Sequence, residues 1–281
     1  EGVVDTLAHH MLLLQRIADC SEDFDVIHFH IDYLHYPLSR MRHWPHVTTL
    51  HGRLDIPDLV PLYREYSDMP VISISNAQRR PLPMADWQRT VYHGLPPDLY
   101  DATEAPGEYL AFLGRVSPEK RVDRAIEIAR RAGLPLKIAA KVDNNERHYF
   151  DTEIRPLLET PGVELVGEIE ESEKNAFLGG ARALLFPIDW PEPFGLVTIE
   201  AFACGTPVIA YPHGAMPAIV KEGVSGYLVR RVDEAVRAVE RTACFNRAGC
   251  RRYFERRFTA DRMAREYLEA YRQLVGAHVD K

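Results

Sequence analysis

The chain has 281 residues, 46% of them hydrophobic and 27% charged. That is length for two modest domains or one large one, and enough apolar material to exclude global disorder. With 34 basic against 41 acidic residues the net charge is −7, which argues against holding nucleic acid by bulk electrostatics, and no apolar run approaches the roughly 18 residues of a membrane helix.

Short runs rich in Val, Ile, Leu and Phe recur along the chain, each followed by a polar, helix-like stretch. They predict strands at 26–30, 47–50, 71–75, 90–93, 110–113, 136–140, 163–166, 183–186, 208–211 and 227–229. Near-continuous apolar strands alternating with helices indicate α/β architecture, with parallel sheets covered on both faces. The first strand ends in Asp25-Val-Ile-His-Phe-His-Ile-Asp32, which puts His28 and His30 on one face. Such a pair can bind metal, with Asp32 and His35 near enough to add ligands, or it can simply be hydrogen-bonded within a polar strand end. The next strand ends in the same way, at His51-Gly52. Residues 96–107, PPDLYDATEAPG, have little periodicity and mark a boundary. About four strands precede it and about six follow, the second set being a full doubly wound sheet.

Past the boundary, Ser117-Pro118-Glu119 reads as an N-cap with Pro at the first helical position. Val122, Ile126 and Ala129 then mark an apolar face, and Ala132-Gly133 is the stop. The four cysteines, Cys20, Cys204, Cys244 and Cys250, form no CxxC pair and read as free thiols in a reducing compartment. A long amphipathic helix, about 260–274, closes the chain.

The most informative stretch is 187–210, PIDWPEPFGLVTIEAFACGTPVIA. A strand ends in a loop, and a helix begins near Leu196. In open α/β sheets ligands gather at such edges. Gly195 admits a close approach, and the N–H groups of Phe194 to Val197 favour an anion at the helix start. Glu192 and Glu200 would repel a phosphate, so they suit sugar or ribose hydroxyls. Alone, the pair would read as ordinary solvated acids.

With PFG, the following EAFACGTPVIA and the later GVSGYLV, this run closely resembles the signature of retaining glycosyltransferases of the GT-B fold, family 4 (glycosyl transferases group 1). The hallmark is a Glu, seven residues, then a second Glu. The resemblance extends to GRVSPEKRVDRAIEIA, residues 114–129, where the family's diphosphate-binding Arg and Lys map to Arg115 and Lys120. Lys120 is expected in a first helical turn, where the dipole disfavours a cation unless an anion is bound. The competing reading is a surface pair with Glu119 or Asp123. By the same resemblance Gly167 and Ile169 meet the nucleobase, the competing reading being a plain strand-end turn, while Glu192 positions the sugar and Glu200 the ribose. His30 faces the transferred sugar, and His51 is a further cleft residue. His93 stands where the family usually has Asn and is read as structural, and Trp190 reads as core packing.

What the resemblance implies is two Rossmann-like domains: 1–100 as a partial acceptor-side domain, 101–108 as linker, 109–260 as donor-binding domain, and 261–281 as a helix crossing back. The activity is transfer of a hexose, with retention, from a nucleotide-diphosphate sugar (a UDP-sugar favoured) to an acceptor hydroxyl on a glycan, lipid or small molecule. No metal, cofactor or nucleic acid is expected, and Glu192, His30, Arg115 and Lys120 are the catalytic candidates. Other readings are a non-catalytic or truncated nucleotide-sugar-binding module, a GT-B-like UDP-sugar epimerase, a phosphorylase and, more distantly, a metal hydrolase on the HFHID stretch. The expected location is cytoplasmic. The basic pairs at 230–231, 251–252 and 256–257 suggest peripheral contact at the inner membrane face, against a default of solvated helix faces. The chain opens on Glu1 without Met or a signal-peptide pattern, and lacks the first strand and Gly-rich loop of the family. It is therefore expected to bind nucleotide with weak or absent transfer.

Overall fold

The computed structural model describes residues 4–105 and 107–279, with side chains as far as residue 276. Glu1, on which the chain opens, lies outside the described residues; among those described, the helix Thr6–Cys20 precedes the first strand. The chain divides into two compact units: unit 1 comprises 1–92 and 263–281, and unit 2 comprises 93–262. Residues 101–108, read as a linker, are counted within unit 2, where the Thr103 N–H donates to the Cys204 carbonyl at 3.1 Å.

Unit 1 holds a parallel sheet of β1 (Ile27–Phe29), β2 (His46–Leu50), β3 (Pro70–Ser73) and β4 (Asp86–Thr90), in that order. β2 is buried along its whole length, which explains its uninterrupted apolar and Thr pattern. β4 corrects the expected strand at 90–93. Its sequence DWQRT has no apolar run, yet Trp87 packs beside Leu82 and Ala85 and its indole N–H donates to the Leu82 carbonyl. Val91, the residue that carried the sequence signal, lies just past the strand and still donates its N–H to Ser73. The final helix, Ala260–Val279, runs further than expected. From Met263 it belongs to unit 1, where Met263, Tyr267, Ala270 and Tyr271 cover Val47, Ile72 and Val91.

Unit 2 holds β5 (Tyr109–Arg115), β6 (Leu136–Lys141), β7 (Val163–Gly167), β8 (Ala181–Phe186), β9 (Val208–Ala210) and β10 (Gly226–Leu228). All pair in parallel, in the order β7-β6-β5-β8-β9-β10. The chain builds outward from β5 in one direction, then returns to build from β8 in the other. The carboxyl ends of β5 and β8 therefore flank a topological switch point, where such sheets bind ligands.

The helix Val122–Ala132 buries Val122, Ala125, Ile126, Ile128 and Ala129 against this sheet. It starts later than the cap signal implied. Pro118–Lys120 form a separate 3-10 turn, and Arg121 then takes a left-handed conformation (φ 56°) before the α-helix begins. For a residue other than glycine that conformation costs about 1 kcal/mol or more. It is held by the Arg121 guanidinium, whose Nε and Nη2 reach Asp123 at 2.9 and 2.8 Å and whose Nη1 reaches Asp189 at 2.9 Å. Buried Arg247 donates to the carbonyls of Thr103, Gly179 and Ala181 and to the Thr206 hydroxyl, tying the 93–108 segment to the sheet.

Candidate functional site

At the β5–β8 switch point, Lys120 and Glu192 meet although 72 positions separate them: Nζ donates to Oε2 at 2.5 Å. Their side chains are only 16% and 11% exposed. Lys120 ends the 3-10 turn instead of entering a first helical turn, and its partner is neither Glu119 nor Asp123. The strained residue that follows it ends the turn and starts the helix afresh. The ammonium also lies 5.1 Å from the Trp190 ring centre and 5.5 Å from that of Phe186, within cation–π range. Arg115, at the end of β5, is the looser cation: half-exposed, it reaches Asp143 at 3.5 Å and Glu119 at 3.8 Å.

The Glu192 loop is fixed by backbone. The Glu192 N–H donates to Trp190, and its carbonyl accepts from Ala215 at 2.9 Å. A Cβ at Gly214 (φ 57°) would overlap the backbone of Glu192 and Pro191, so only glycine admits this approach. Asp189 anchors the other end. It takes ion pairs from Arg121 and Arg124, faces His213 at 3.7 Å, and donates its N–H to the Glu119 carbonyl.

The helix Leu196–Ala203 starts from Gly195 in the left-handed region, φ 83°. The Gly195 carbonyl accepts from both the N–H and the hydroxyl of Thr198, while the first-turn amides of Leu196 and Val197 precede the helix's own bonding ladder. Phe194 was expected at the ligand. Its ring is 2% exposed, packed edge-on to His93 at 4.8 Å and near Phe258, so its side chain is core.

Glu200 follows in the same helix, 8% exposed. Lys174 bridges it to a second carboxylate, with Nζ 3.0 Å from Glu200 Oε1 and 2.8 Å from Glu171 Oε2, and the Tyr100 hydroxyl donates to Glu171. Burial pushes the Glu200 carboxyl above the ordinary carboxylate range, and Lys174 opposes that rise. Burial works against the Lys174 charge, but Glu171 and Glu200 outweigh it and hold its pKa above the ordinary value. Gly167 ends β7 in the left-handed region (φ 91°) with open space where a Cβ would stand, and Ile169 follows two residues on.

Sequence reasoning missed Lys174, Glu171, Tyr100, Asp189 and Gly214. Lys174 and Glu171 lie in ESEKNAF, which reads as a solvated helix. The available signal for Gly214 was a glycine following the end of β9.

In unit 1, His28 and His30 share a face, their ring centres 4.2 Å apart. His28 bonds Tyr271 at 2.7 Å and Thr49 at 2.8 Å, and His30 Nδ1 lies 2.8 Å from His51 Nε2. His35 turns instead to Ser39 and Thr48. Among the described residues no three or more His, Cys, Asp or Glu side chains form a group that could hold a metal ion. No helix among them is long and apolar enough to cross a membrane. Two of the basic pairs are partly spent on the fold: Arg251 binds the carbonyls of Pro97, Tyr100 and Ala203, and Arg257 binds Tyr253.

Two parallel Rossmann-like sheets, one with ion-paired carboxylates at its switch point, define the class as an α/β fold of the GT-B kind. The profile described as Glycosyl transferases group 1 matches residues 102–242, half of the chain, and the chain belongs to that family. It is 33% identical over 147 residues to the D-inositol 3-phosphate glycosyltransferase of Mycolicibacterium smegmatis, covering 51% of this chain and 32% of that protein. To the protein of the same name from Geodermatophilus obscurus it is 39% identical over 196 residues, covering 60% and 42%. The matched part is thus less than half of these curated relatives. Among solved structures, AviGT4, a glycosyltransferase involved in avilamycin A biosynthesis, is 26% identical with a TM-score of 0.74, covering 94% of this chain and 78% of that one. HepE of Anabaena, solved with UDP and glucose, has a TM-score of 0.77 at 18% identity, covering 97% and 84%, a likeness of fold alone.

Proposed function

We propose that the chain transfers a hexose with retention from a nucleotide-diphosphate sugar, a UDP-sugar by preference, to an acceptor hydroxyl. The observation that carries this reading is the convergence of Lys120 and Glu192 at the switch point, with Glu200 in the helix that follows. Departure of the leaving group builds negative charge on the diphosphate, which Arg115, Lys120 and the amides at Gly195 to Val197 stabilise electrostatically. Glu192 accepts from the sugar hydroxyls and Glu200 from the ribose diol, while Gly167 and Ile169 border the base. Within unit 1, the imidazoles of His30 and His51, kept below their ordinary pKa chiefly by burial, are neutral hydrogen-bonding groups suited to hydroxyls. In the front-face route proposed, the acceptor oxygen bonds to the anomeric carbon as its bond to the phosphate oxygen breaks. The acceptor proton passes to that phosphate, so no protein nucleophile takes part. The UDP and glucose named with HepE, and the acceptor named for the inositol-phosphate enzymes, support a UDP-sugar donor and a hydroxyl acceptor.

The test is incubation with UDP-glucose and candidate hydroxyl acceptors, with NMR of the product anomer. Retained configuration supports the proposal, inverted configuration refutes the front-face route, and an isomerised free sugar would favour an epimerase.

A further inference from the structure

Glu200 is nearly enclosed, yet the role proposed for it requires a fully charged carboxylate: only the ionised form is acceptor-only at both oxygens and can take two vicinal hydroxyls. Enclosure opposes that charge. The groups facing it come from three elements. Lys174 and Glu171 stand on the helix Glu171–Gly179. Tyr100 comes from the segment before β5 and Cys204 from the end of the Glu200 helix, while Arg251, on the helix Arg247–Arg257, is committed to the Ala203 carbonyl. Among the described residues, the cation in hydrogen-bond contact with Glu200 is Lys174, at 3.0 Å on Oε1. Lys174 is itself fixed by Glu171, which receives the Tyr100 hydroxyl.

We infer that Lys174 is a positioning residue that keeps the Glu200 carboxylate charged and oriented, and so sets the preference for ribose over deoxyribose in the donor. The inference rests on the ribose role proposed for Glu200. Without Lys174 no described group of opposite charge offsets burial and Glu171, so the enclosed carboxyl would hold a proton to higher pH than in wild type, present a donor where the diol needs an acceptor, and lose its discrimination. Because burial already raises its pKa, the loss is largest at low pH and reverses as pH rises past the new value.

The experiment is calorimetry at pH 6, 7.5 and 9 with UDP, GDP and ADP. The tightest binder is then compared with its 2′-deoxy form in wild type, Lys174→Gln, Lys174→Arg and Glu200→Gln. Wild type and Lys174→Arg should prefer the ribonucleotide by about tenfold or more at every pH. Lys174→Gln should lose that preference at pH 6 and recover most of it by pH 9, a recovery that also shows the variant is folded. A full preference in Lys174→Gln at pH 6, alongside its loss in Glu200→Gln, would overturn the inference and spare the ribose role. Loss at every pH without recovery makes Lys174 a structural tether and also overturns it. Undiminished preference in Glu200→Gln would remove the ribose role itself.

Discussion

Lys120 Nζ rests 2.5 Å from Glu192 Oε2, both side chains mostly enclosed. Each thus neutralises the other in the absence of ligand. In the donor complex proposed above, a diphosphate would offer Lys120 a stronger partner, and the carboxylate so released would accept from sugar hydroxyls. Donor binding would thereby exchange one ion pair for another and leave no orphaned charge.

The two members of this pair should fail in opposite ways. Lys120→Met leaves Glu192 enclosed and unpaired, lowering folding stability by about 3 kcal/mol and nucleoside-diphosphate affinity about a hundredfold. Glu192→Gln releases Lys120, so affinity for UDP without a sugar should hold or rise while transfer collapses. Urea unfolding and calorimetry measure the two effects, and equal loss of UDP affinity in both variants would contradict this division.

Arg115 makes only long contacts to Asp143 and Glu119 and is half-exposed, so it contributes little to the fold. Arg115→Met should leave the melting temperature nearly unchanged and weaken diphosphate binding about tenfold. The deficit should shrink as salt rises, because an exposed charge is screened. A large drop in melting temperature would show a structural role instead.

Gly214 makes the Glu192 loop possible. Gly214→Ala adds both a left-handed penalty and an overlap with backbone that cannot move aside. Gly167→Ala faces open space and incurs only the conformational penalty, about 1 kcal/mol. Transfer should collapse in Gly214→Ala, and the tryptophan fluorescence should shift as Trp190, bonded through its carbonyl to the Glu192 N–H, is displaced. Unchanged fluorescence and activity would mean the loop does not depend on this contact.

Unit 1 should be sensitive to acid. Burial, then His30 and His51, push His28 down to about 3, and burial with His46 pushes His35 down to about 2. Both are therefore neutral in the folded chain, whereas unfolded histidine titrates near 6.5. Below that pH the unfolded state takes up protons that the folded state refuses, so stability falls as pH drops from 6.5 toward 3. Each histidine contributes about 1.4 kcal/mol per pH unit at most. Fully buried His35 carries the firmer share, and the two together should remove about 3 kcal/mol between pH 6.5 and 5. Urea unfolding at pH 7 and pH 5 checks this, and a His35→Asn variant should flatten the slope.

Much of the fold was legible because parallel strands buried on both faces leave unbroken apolar runs, as at Leu136 to Ala140. β4 escaped because DWQRT is held by one Trp and by pairing to β3. The helix start was displaced because Arg121 adopts a left-handed conformation held by Asp123 and by Asp189, 68 positions away; the tie to Asp189 is encoded in no local pattern. In the candidate site, Arg115, Lys120, Glu192 and Glu200 were proposed from the family resemblance, and the structure brings Lys120 to Glu192 with Glu200 in the helix that follows. Lys174 could not be proposed in this way, since its meaning depends on Glu200, 26 positions away, and a lysine among glutamates on a helix looks like solvated surface.

In the function proposed, the switch point of unit 2 binds a nucleoside diphosphate through Lys120 and Glu200. The most direct measurement is calorimetric titration of the folded protein with UDP, GDP and ADP, repeated on Lys120→Met and Glu200→Gln. Saturable binding of at least one of the three, weakened about tenfold or more in both variants, is the expected result. Binding undiminished in both variants, or no binding of any of the three at millimolar concentration (about −4 kcal/mol), would contradict it.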